Sequence, residues 1–138
     1  MNNITQKLIT EISYKIIGCA IEVHKELGPG LLEHIYEICL IEELKQNNLD
    51  VKSQITVPLS YKGKPLDTNL RIDLVVNDLV IVELKTVEKI LPVHKAQLLT
   101  YLKLAEKPKG LLINFYTDVI NNGIESLVTE RFAILPKE

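Results

Sequence analysis

Apolar residues in the first third of the chain recur at helical spacing. This period predicts a first helix over residues 3–27, because Gly28-Pro29-Gly30 combines the two residue types that interrupt a helix. The period restarts after that turn and predicts a second helix over about residues 30–47. The apolar positions of the two helices are Ile4, Leu8, Ile12, Ile16, Ala20 and Ile21, then Leu31, Leu32, Ile35, Ile38, Cys39 and Ile41.

The apolar period then changes to two, which is typical of strands. We predict a strand over residues 55–61, a turn at 62–65 and a second strand over 66–76. The run LVIVELK, residues 79–85, is apolar on both faces as far as Glu83, as expected of a central strand. Beyond it, the pattern predicts a third helix over about residues 92–105, a strand over 110–116 and a last strand over 123–132.

The order α-α-β-β-β-α-β-β indicates an α/β fold with a central mixed sheet flanked by helices. A chain of 138 residues with 46% hydrophobic residues suits one compact domain, residues 1–138. Its two cysteines lack CxxC spacing, which predicts neither a disulfide framework nor a zinc site and favours a cytoplasmic location. No apolar run approaches the roughly 20 residues that span a bilayer, so we expect no membrane partner.

Charge is unevenly distributed although the formal net charge is only −2. Residues 45–109 carry eleven Lys and Arg against seven Asp and Glu, or +4. A locally basic segment suits a polyanionic partner, although solvated lysines on turns would give the same count. Aromatic residues make up 5% of the chain and Trp is absent, which weakens the case for a sugar-binding or base-stacking platform.

Candidate catalytic residues lie on two neighbouring predicted strands. Glu83 and Lys85 share a face because strand side chains alternate. A two-residue turn before LVIVELK would pair Asp73 with Val82 and place Glu83 on the opposite face. A three-residue connection, residues 77–79, pairs Asp73 with Glu83, and we expect this register because it buries one apolar face. Its apolar pairs are Val76 with Val80, Leu74 with Val82 and Ile72 with Leu84.

Two opposed carboxylates repel each other unless a positive charge lies between them. A hard divalent cation such as Mg²⁺ or Mn²⁺ fits, because it takes oxygen ligands and keeps waters for a substrate phosphate. Lys85 would then orient or activate such a water, or offset charge at the scissile phosphate. The alternative from these residues alone is a surface strand with a Glu–Lys ion pair and an unrelated Asp73.

Four segments together closely resemble one known family. GPGLLEHIYE contains Gly30-x-x-Glu33-x-x-Tyr36, and it is followed by RIDLVVNDLVIVELKTVEKI, HKAQLLTYLKL and GLLINF. In order and spacing they resemble the GxxExxY proteins of the PD-(D/E)XK nuclease superfamily, over about residues 12–128. The resemblance implies a restriction-endonuclease-like core. The Pro of the superfamily signature is absent, since Asp73 follows Arg71-Ile72.

The resemblance also implies roles for individual residues. It makes Asp73, Glu83 and Lys85 catalytic, with Lys85 as base or electrostatic partner. It implies metal ligation by Asp73 and Glu83, by Glu33 on the second helix and by the backbone carbonyl of Leu84. Gln97-x-x-x-Tyr101 resembles a helical QxxxY element of exonucleases in that superfamily. The full set expected to support the site or bind substrate is Gln97, Tyr101, Tyr36, Arg71 and His94.

Each supporting residue also has a structural explanation. Spacings of three and four place His94, Gln97 and Tyr101 on one helix face, which packing alone would explain equally well. His94 near a helix start suits a cap, and Tyr36 suits the core. Glu33 suits a first helical turn, where the helix dipole favours a negative charge.

Three functional hypotheses follow from these residues and the resemblance. The leading one is a Mg²⁺- or Mn²⁺-dependent nuclease that hydrolyses phosphodiester bonds, with DNA as the nucleic-acid partner. The second is a non-catalytic nucleic-acid-binding or protein-interaction module that retains the nuclease fold. The third is a structural role in a homo-oligomer or with a protein partner, in which the long first helix supplies the interface.

Overall fold

The computed structural model of the protein describes residues 3–138. The helices are α1 (Gln6–Leu27), α2 (Glu33–Gln46), α3 (Pro92–Leu104) and the short α4 (Glu130–Ala133). The strands are β1 (Val51–Thr56), β2 (Leu59–Tyr61), β3 (Lys64–Leu66), β4 (Arg71–Val76), β5 (Val80–Lys85), β6 (Lys109–Asn114) and β7 (Ile124–Val128). A 3-10 turn over Ile120–Gly123 precedes β7.

The three long helices lie close to their predicted positions. Helix α1 ends at Leu27 as predicted, and Gly28 follows with φ 72°, a left-handed conformation that glycine adopts readily. It begins later than predicted because Thr5 caps it: the Thr5 hydroxyl accepts from the Leu8 N–H at 3.0 Å. Helix α2 begins only at Glu33, so the GPG turn extends further than the apolar period suggested.

Two of the predicted strands were wrong, because each is divided between two separate strands in the structure. Residues 55–61 belong to two strands in different sheets, because Pro58 between them has no N–H to donate to a ladder. Residues 66–76 are likewise divided between β3 and β4. Strands β2 and β3 form their own two-stranded sheet. The last strand is also shorter than the predicted 123–132, since the chain enters α4 after Val128.

The main sheet confirms the α/β fold with a mixed central sheet. Its strand order is β1-β4-β5-β6-β7, so β5 is central as predicted. Strands β5 and β6 are parallel and α3 is the crossover between them, whereas the other pairs are antiparallel. One face packs on α1 and α2, which we call the α1/α2 core. The opposite face packs on α3 and forms the α3 core.

The predicted hairpin register between β4 and β5 is confirmed at its inner pairs. Leu74 pairs with Val82, and Val76 with Val80. The third pair was wrong: the ladder stops at Leu74, and Ile72 packs in the α3 core whereas Leu84 packs in the α1/α2 core. The side-chain alternation of β4 therefore changes at Asp73, between these two apolar residues.

The neighbouring strand β1 is irregular at the same level. Ser53 pairs with Leu74 and Ile55 with Ile72, and between them Gln54 has φ 53°. A left-handed backbone is uncommon for a residue other than glycine and often marks a functional site. The sheet thus departs from regular pairing beside Asp73.

Among residues 3–138, no helix has the length and apolarity needed to cross a membrane. Cys19 is a buried free thiol on α1, and burial raises its pKa to about 11. Cys39 is a half-buried free thiol on α2. Neither thiol takes part in the candidate active site.

Candidate active site

Asp73 and Glu83 bridge β4 and β5 where the backbone ladder ends. The Leu84 N–H donates to Oδ2 of Asp73 at 2.8 Å, and the Asp73 N–H donates to Oε1 of Glu83 at 3.0 Å. Each carboxylate therefore accepts from the main chain of the opposite strand. This exchange uses one oxygen of each carboxylate and leaves the second oxygen for another partner.

Burial sets the electrostatics of this pair. Glu83 is only 8% exposed. Desolvation, and after it the negative charge of Asp73, raise the pKa of Glu83 to about 8. Two neighbouring carboxylates, one of them buried, are costly to ionise together unless a cation lies beside them. The oxygen donor set is one that Mg²⁺ and Mn²⁺ prefer, so the residues present fit such an ion.

Lys85 ends β5, on the strand face it shares with Glu83. It is half-buried, and its positive charge partly offsets the rise in pKa of both Glu83 and Glu33. Its backbone carbonyl accepts from the Phe115 N–H at 2.9 Å, which holds the strand end against the segment after β6. The structure therefore brings Asp73, Glu83 and Lys85 to one region. The predicted ladder pair between Asp73 and Glu83 is not formed, because the ladder ends at Leu74–Val82 and side-chain hydrogen bonds connect the two residues instead.

Helix α2 brings two acidic side chains to the same region. Glu33, its first residue, is exposed, yet partial desolvation and then Asp73 raise the pKa of its carboxyl. Glu37, one turn later, shows the same two causes in the same order. Its Oε1 accepts from Nε2 of Gln54 at 2.9 Å, where β1 takes its left-handed conformation.

Glu37 and Gln54 were not among the residues predicted from sequence. The i, i+4 spacing of Glu33 and Glu37 was a usable signal, because residues four apart lie on one helix face. For Gln54 there was no signal, since its contact with α2 depends on how β1 packs against that helix. The charge of Asp73 acts on Glu37, and Gln54 lies on β1 at the level of Asp73.

The acidic side chains of α2, β4 and β5 lie in one region but do not surround a single point. Within residues 3–138, no three His, Cys, Asp or Glu side chains lie close enough together to hold a metal ion as a group. Asp73 and Glu83 are joined by hydrogen bonds, whereas Glu33 stands outside them at the exposed start of α2. The expected set Glu33, Asp73 and Glu83 is therefore a close pair with a more distant third member.

Helix α3 brings Tyr101 and Gln97 to the site from the other side. Tyr101 is 6% exposed, and burial followed by the charge of Glu83 raises its pKa. Nε2 of Gln97 donates to the Tyr101 hydroxyl oxygen at 3.0 Å. His94 lies on the same helix but accepts from the Leu91 N–H through Nδ1 at 3.0 Å, which caps α3. Arg71 is exposed on β4, two residues before Asp73.

Tyr36 is placed in the core and does not reach the carboxylates. It is fully buried and stacks on Phe115 with ring centroids 4.4 Å apart. Its hydroxyl donates to the Gly28 carbonyl and accepts from the Leu31 N–H at 3.1 Å. These bonds fasten the GPG turn, from which α2 begins with Glu33.

We expect Tyr36→Phe to lower the free energy of unfolding by about 1–2 kcal/mol, because a partly buried carbonyl and a partly buried N–H lose their shared partner. The exposed Tyr14 on α1 offers the control Tyr14→Phe, which should be neutral. Urea denaturation of both variants checks this. Equal midpoints for the two variants would show that the hydroxyl does not hold the turn.

Comparison with known proteins supports the same region. A family model described as the PD-(D/E)XK nuclease superfamily matches residues 10–127. No curated protein and no solved structure matches the chain significantly. The matched range contains both candidate carboxylates of the hairpin, Lys85, Glu33 and Glu37 of α2, and Tyr101.

Proposed function

The chain belongs to the PD-(D/E)XK nuclease superfamily, and from that premise we propose that it hydrolyses phosphodiester bonds in DNA with Mg²⁺ or Mn²⁺. Members of this superfamily typically depend on a metal ion and act on nucleic acid. The observation that supports the proposal is the hydrogen-bonded pair of Asp73 and Glu83 beside Lys85. Within the superfamily we assign the chain to the GxxExxY proteins, on Gly30, Glu33 and Tyr36.

Asp73 and Glu83 would each hold the ion through the carboxylate oxygen that does not accept a hydrogen bond from the opposite strand's backbone. The carbonyl of Leu84 would be a further ligand, because the N–H and C=O of a strand residue point toward the same neighbour and its N–H points at Asp73. A bound ion of this kind polarises the phosphate and lowers the pKa of a bound water. Glu33 adds negative charge at the rim of the site.

Lys85 supplies the positive charge that the carboxylate pair lacks. Anchored by its carbonyl to the segment after β6, it can hold a phosphate oxygen and stabilise charge that develops there. The Tyr101 hydroxyl oxygen accepts from Gln97, so the hydroxyl proton remains available to an acceptor on the side of Glu83. A hydrogen bond from Tyr101 to Glu83 would hold the buried carboxylate in place.

The second candidate is a non-catalytic module that binds nucleic acid or protein. It is favoured by the wider spacing of the third carboxylate, since no three-ligand group forms within residues 3–138. Such a module would bind without turnover. The Asp73–Glu83 pair favours the nuclease, because two neighbouring carboxylates are costly to ionise together unless a cation lies beside them.

A cleavage screen separates the two candidates. Single-stranded, duplex and flap DNA and single-stranded RNA are each incubated with sub-stoichiometric protein in Mg²⁺ or Mn²⁺, and in EDTA. We expect multiple turnovers on DNA that EDTA abolishes. Binding to these substrates without cleavage of any of them would instead establish the binding module.

A further inference from the structure

A polar cavity of about 270 Å³ lies at the carboxyl ends of the parallel strands β5 and β6. Its walls come from the loop between β5 and α3 and from the segment between β6 and β7. Crevices at the carboxyl ends of parallel strands are common ligand sites in α/β proteins. The lining side chains that matter here are Glu88, Lys89, Asn114, Tyr116, Asn122 and Glu125.

Strand register places this cavity directly beside the candidate active site. Lys85 pairs with Asn114 on the neighbouring strand. Glu83 pairs with Leu112, which in turn pairs with Glu125. Residues paired across strands point to the same face, and neighbouring strands are about 4.8 Å apart. The cavity thus begins one strand away from Lys85, on the face that carries Glu83 and Lys85.

Hydrogen bonds hold the walls of the cavity in place. Asn114 is 4% exposed, and its side chain binds both walls. Its Oδ1 accepts from the N–H groups of Val87 at 3.1 Å and Tyr116 at 3.2 Å, and its Nδ2 donates to the Val87 carbonyl at 2.7 Å. A Cβ at Gly123 would collide with the Asn114 carbonyl oxygen, so only glycine allows this close approach.

The lining suits a flat, uncharged ligand with polar edges. The Tyr116 ring is 50% exposed and offers a stacking face, while the Asn122 amide can donate and accept. Lys89 is outnumbered by Glu88 and Glu125, and Glu125 pairs with Lys95 at 3.4 Å, so no surplus of positive charge marks a phosphate site. The volume, below the roughly 300–1,000 Å³ of ordinary ligand pockets, suits one ring system.

We propose that this cavity is a subsite for one unpaired nucleobase of the substrate, the base that flanks the scissile phosphate, with Tyr116 as the stacking surface. The inference rests on the proposed function, because the phosphate held at Lys85 brings the flanking base to the cavity. A base within a duplex is already stacked and paired, so such a subsite favours single-stranded or frayed ends. The Tyr116 ring can stack on one base. A subsite for a single base therefore agrees with the small number of aromatic residues in the chain.

The test measures how Tyr116 variants bind and cleave a labelled single-stranded oligonucleotide. Base–aromatic stacking predicts that Tyr116→Ala raises Kd and KM by about 10-fold with kcat nearly unchanged. Tyr116→Phe keeps the ring and should behave as wild type. Tyr61→Ala is the matched control, because Tyr61 is 61% exposed on the β2–β3 hairpin. With an abasic nucleotide at the flanking position, wild type and Tyr116→Ala should bind equally.

The outcomes separate this inference from the proposed function. Cleavage with equal KM and Kd for Tyr116→Ala and Tyr61→Ala would overturn the subsite and leave the nuclease intact. Absence of cleavage, together with weaker binding by Tyr116→Ala, would overturn the nuclease and leave the base subsite. Failure both to bind the oligonucleotide and to cleave it in Mg²⁺ would overturn both. Fluorescence anisotropy in EDTA gives Kd independently of any cleavage.

Discussion

Lys85→Ala should cleave DNA at least about 100-fold more slowly than the wild type, the usual loss when one group that stabilises transition-state charge is removed. Lys85 is the positive group whose charge acts on both Glu83 and Glu33. Its loss leaves the carboxylates without a compensating side chain and the scissile phosphate without a cationic partner. Single-turnover rates at saturating protein measure the effect on chemistry separately from binding.

Lys45→Ala is the matched control for this variant. Lys45 is exposed near the end of α2, about 18 Å along the helix axis from Glu33. It should cleave at the wild-type rate, and both variants should retain the circular dichroism spectrum of the folded protein. Cleavage by Lys85→Ala at the rate of Lys45→Ala would remove Lys85 from the mechanism.

The metal-free protein should lose stability as pH rises from about 4.5 to about 8, the ordinary and folded pKa values of Glu83. Below this window Glu83 is protonated in both the folded and the unfolded state. Within it, the folded state keeps a proton that the unfolded state has released, so rising pH favours unfolding. Above this pH window Glu83 is ionised in both states, so its titration lowers the stability no further. The whole effect is on the order of a few kcal/mol.

Urea denaturation in EDTA at the two ends of this window measures the change. Glu83→Gln has no titrating carboxyl at this position, so its stability should change much less with pH. Glu42→Gln, at an exposed position of α2, should follow the wild type. Mg²⁺ should stabilise the wild type at the upper end and have little effect on Glu83→Gln, because binding to the folded state alone raises stability. Identical pH profiles for wild type and Glu83→Gln would show that burial does not raise the pKa of Glu83.

The hairpin that carries the site could be predicted because residues close together in the sequence determine its register. Loop length and the apolar pattern together determine the register, and the pairs Leu74–Val82 and Val76–Val80 confirm it. The same logic was wrong at Ile72, because an alternating pattern does not reveal where a strand changes face. It was also wrong at residues 55–61, where alternation continues across Pro58 although the chain passes to another sheet.

The site was predictable in part, for similar reasons. Asp73, Glu83 and Lys85 lie on adjacent strands of one hairpin, and the resemblance to the PD-(D/E)XK superfamily is confirmed by the family match. Gln54 could not be predicted, because its hydrogen bond to Glu37 joins β1 to α2 and depends on tertiary packing. Tyr36 belongs to a recognised motif, yet only the folded turn shows what its hydroxyl binds. The assignment of catalytic and metal-binding roles remains a prediction.

The measurement that tests the central claim most directly is single-turnover cleavage of labelled single-stranded DNA by wild type and Asp73→Asn in Mg²⁺. Asparagine keeps the size of the side chain and an oxygen that can accept from the Leu84 N–H, but it removes the negative charge that a cation requires. We expect cleavage by the wild type that EDTA abolishes, and none by folded Asp73→Asn. Cleavage by Asp73→Asn at the wild-type rate would show that the Asp73–Glu83 pair is not the metal site.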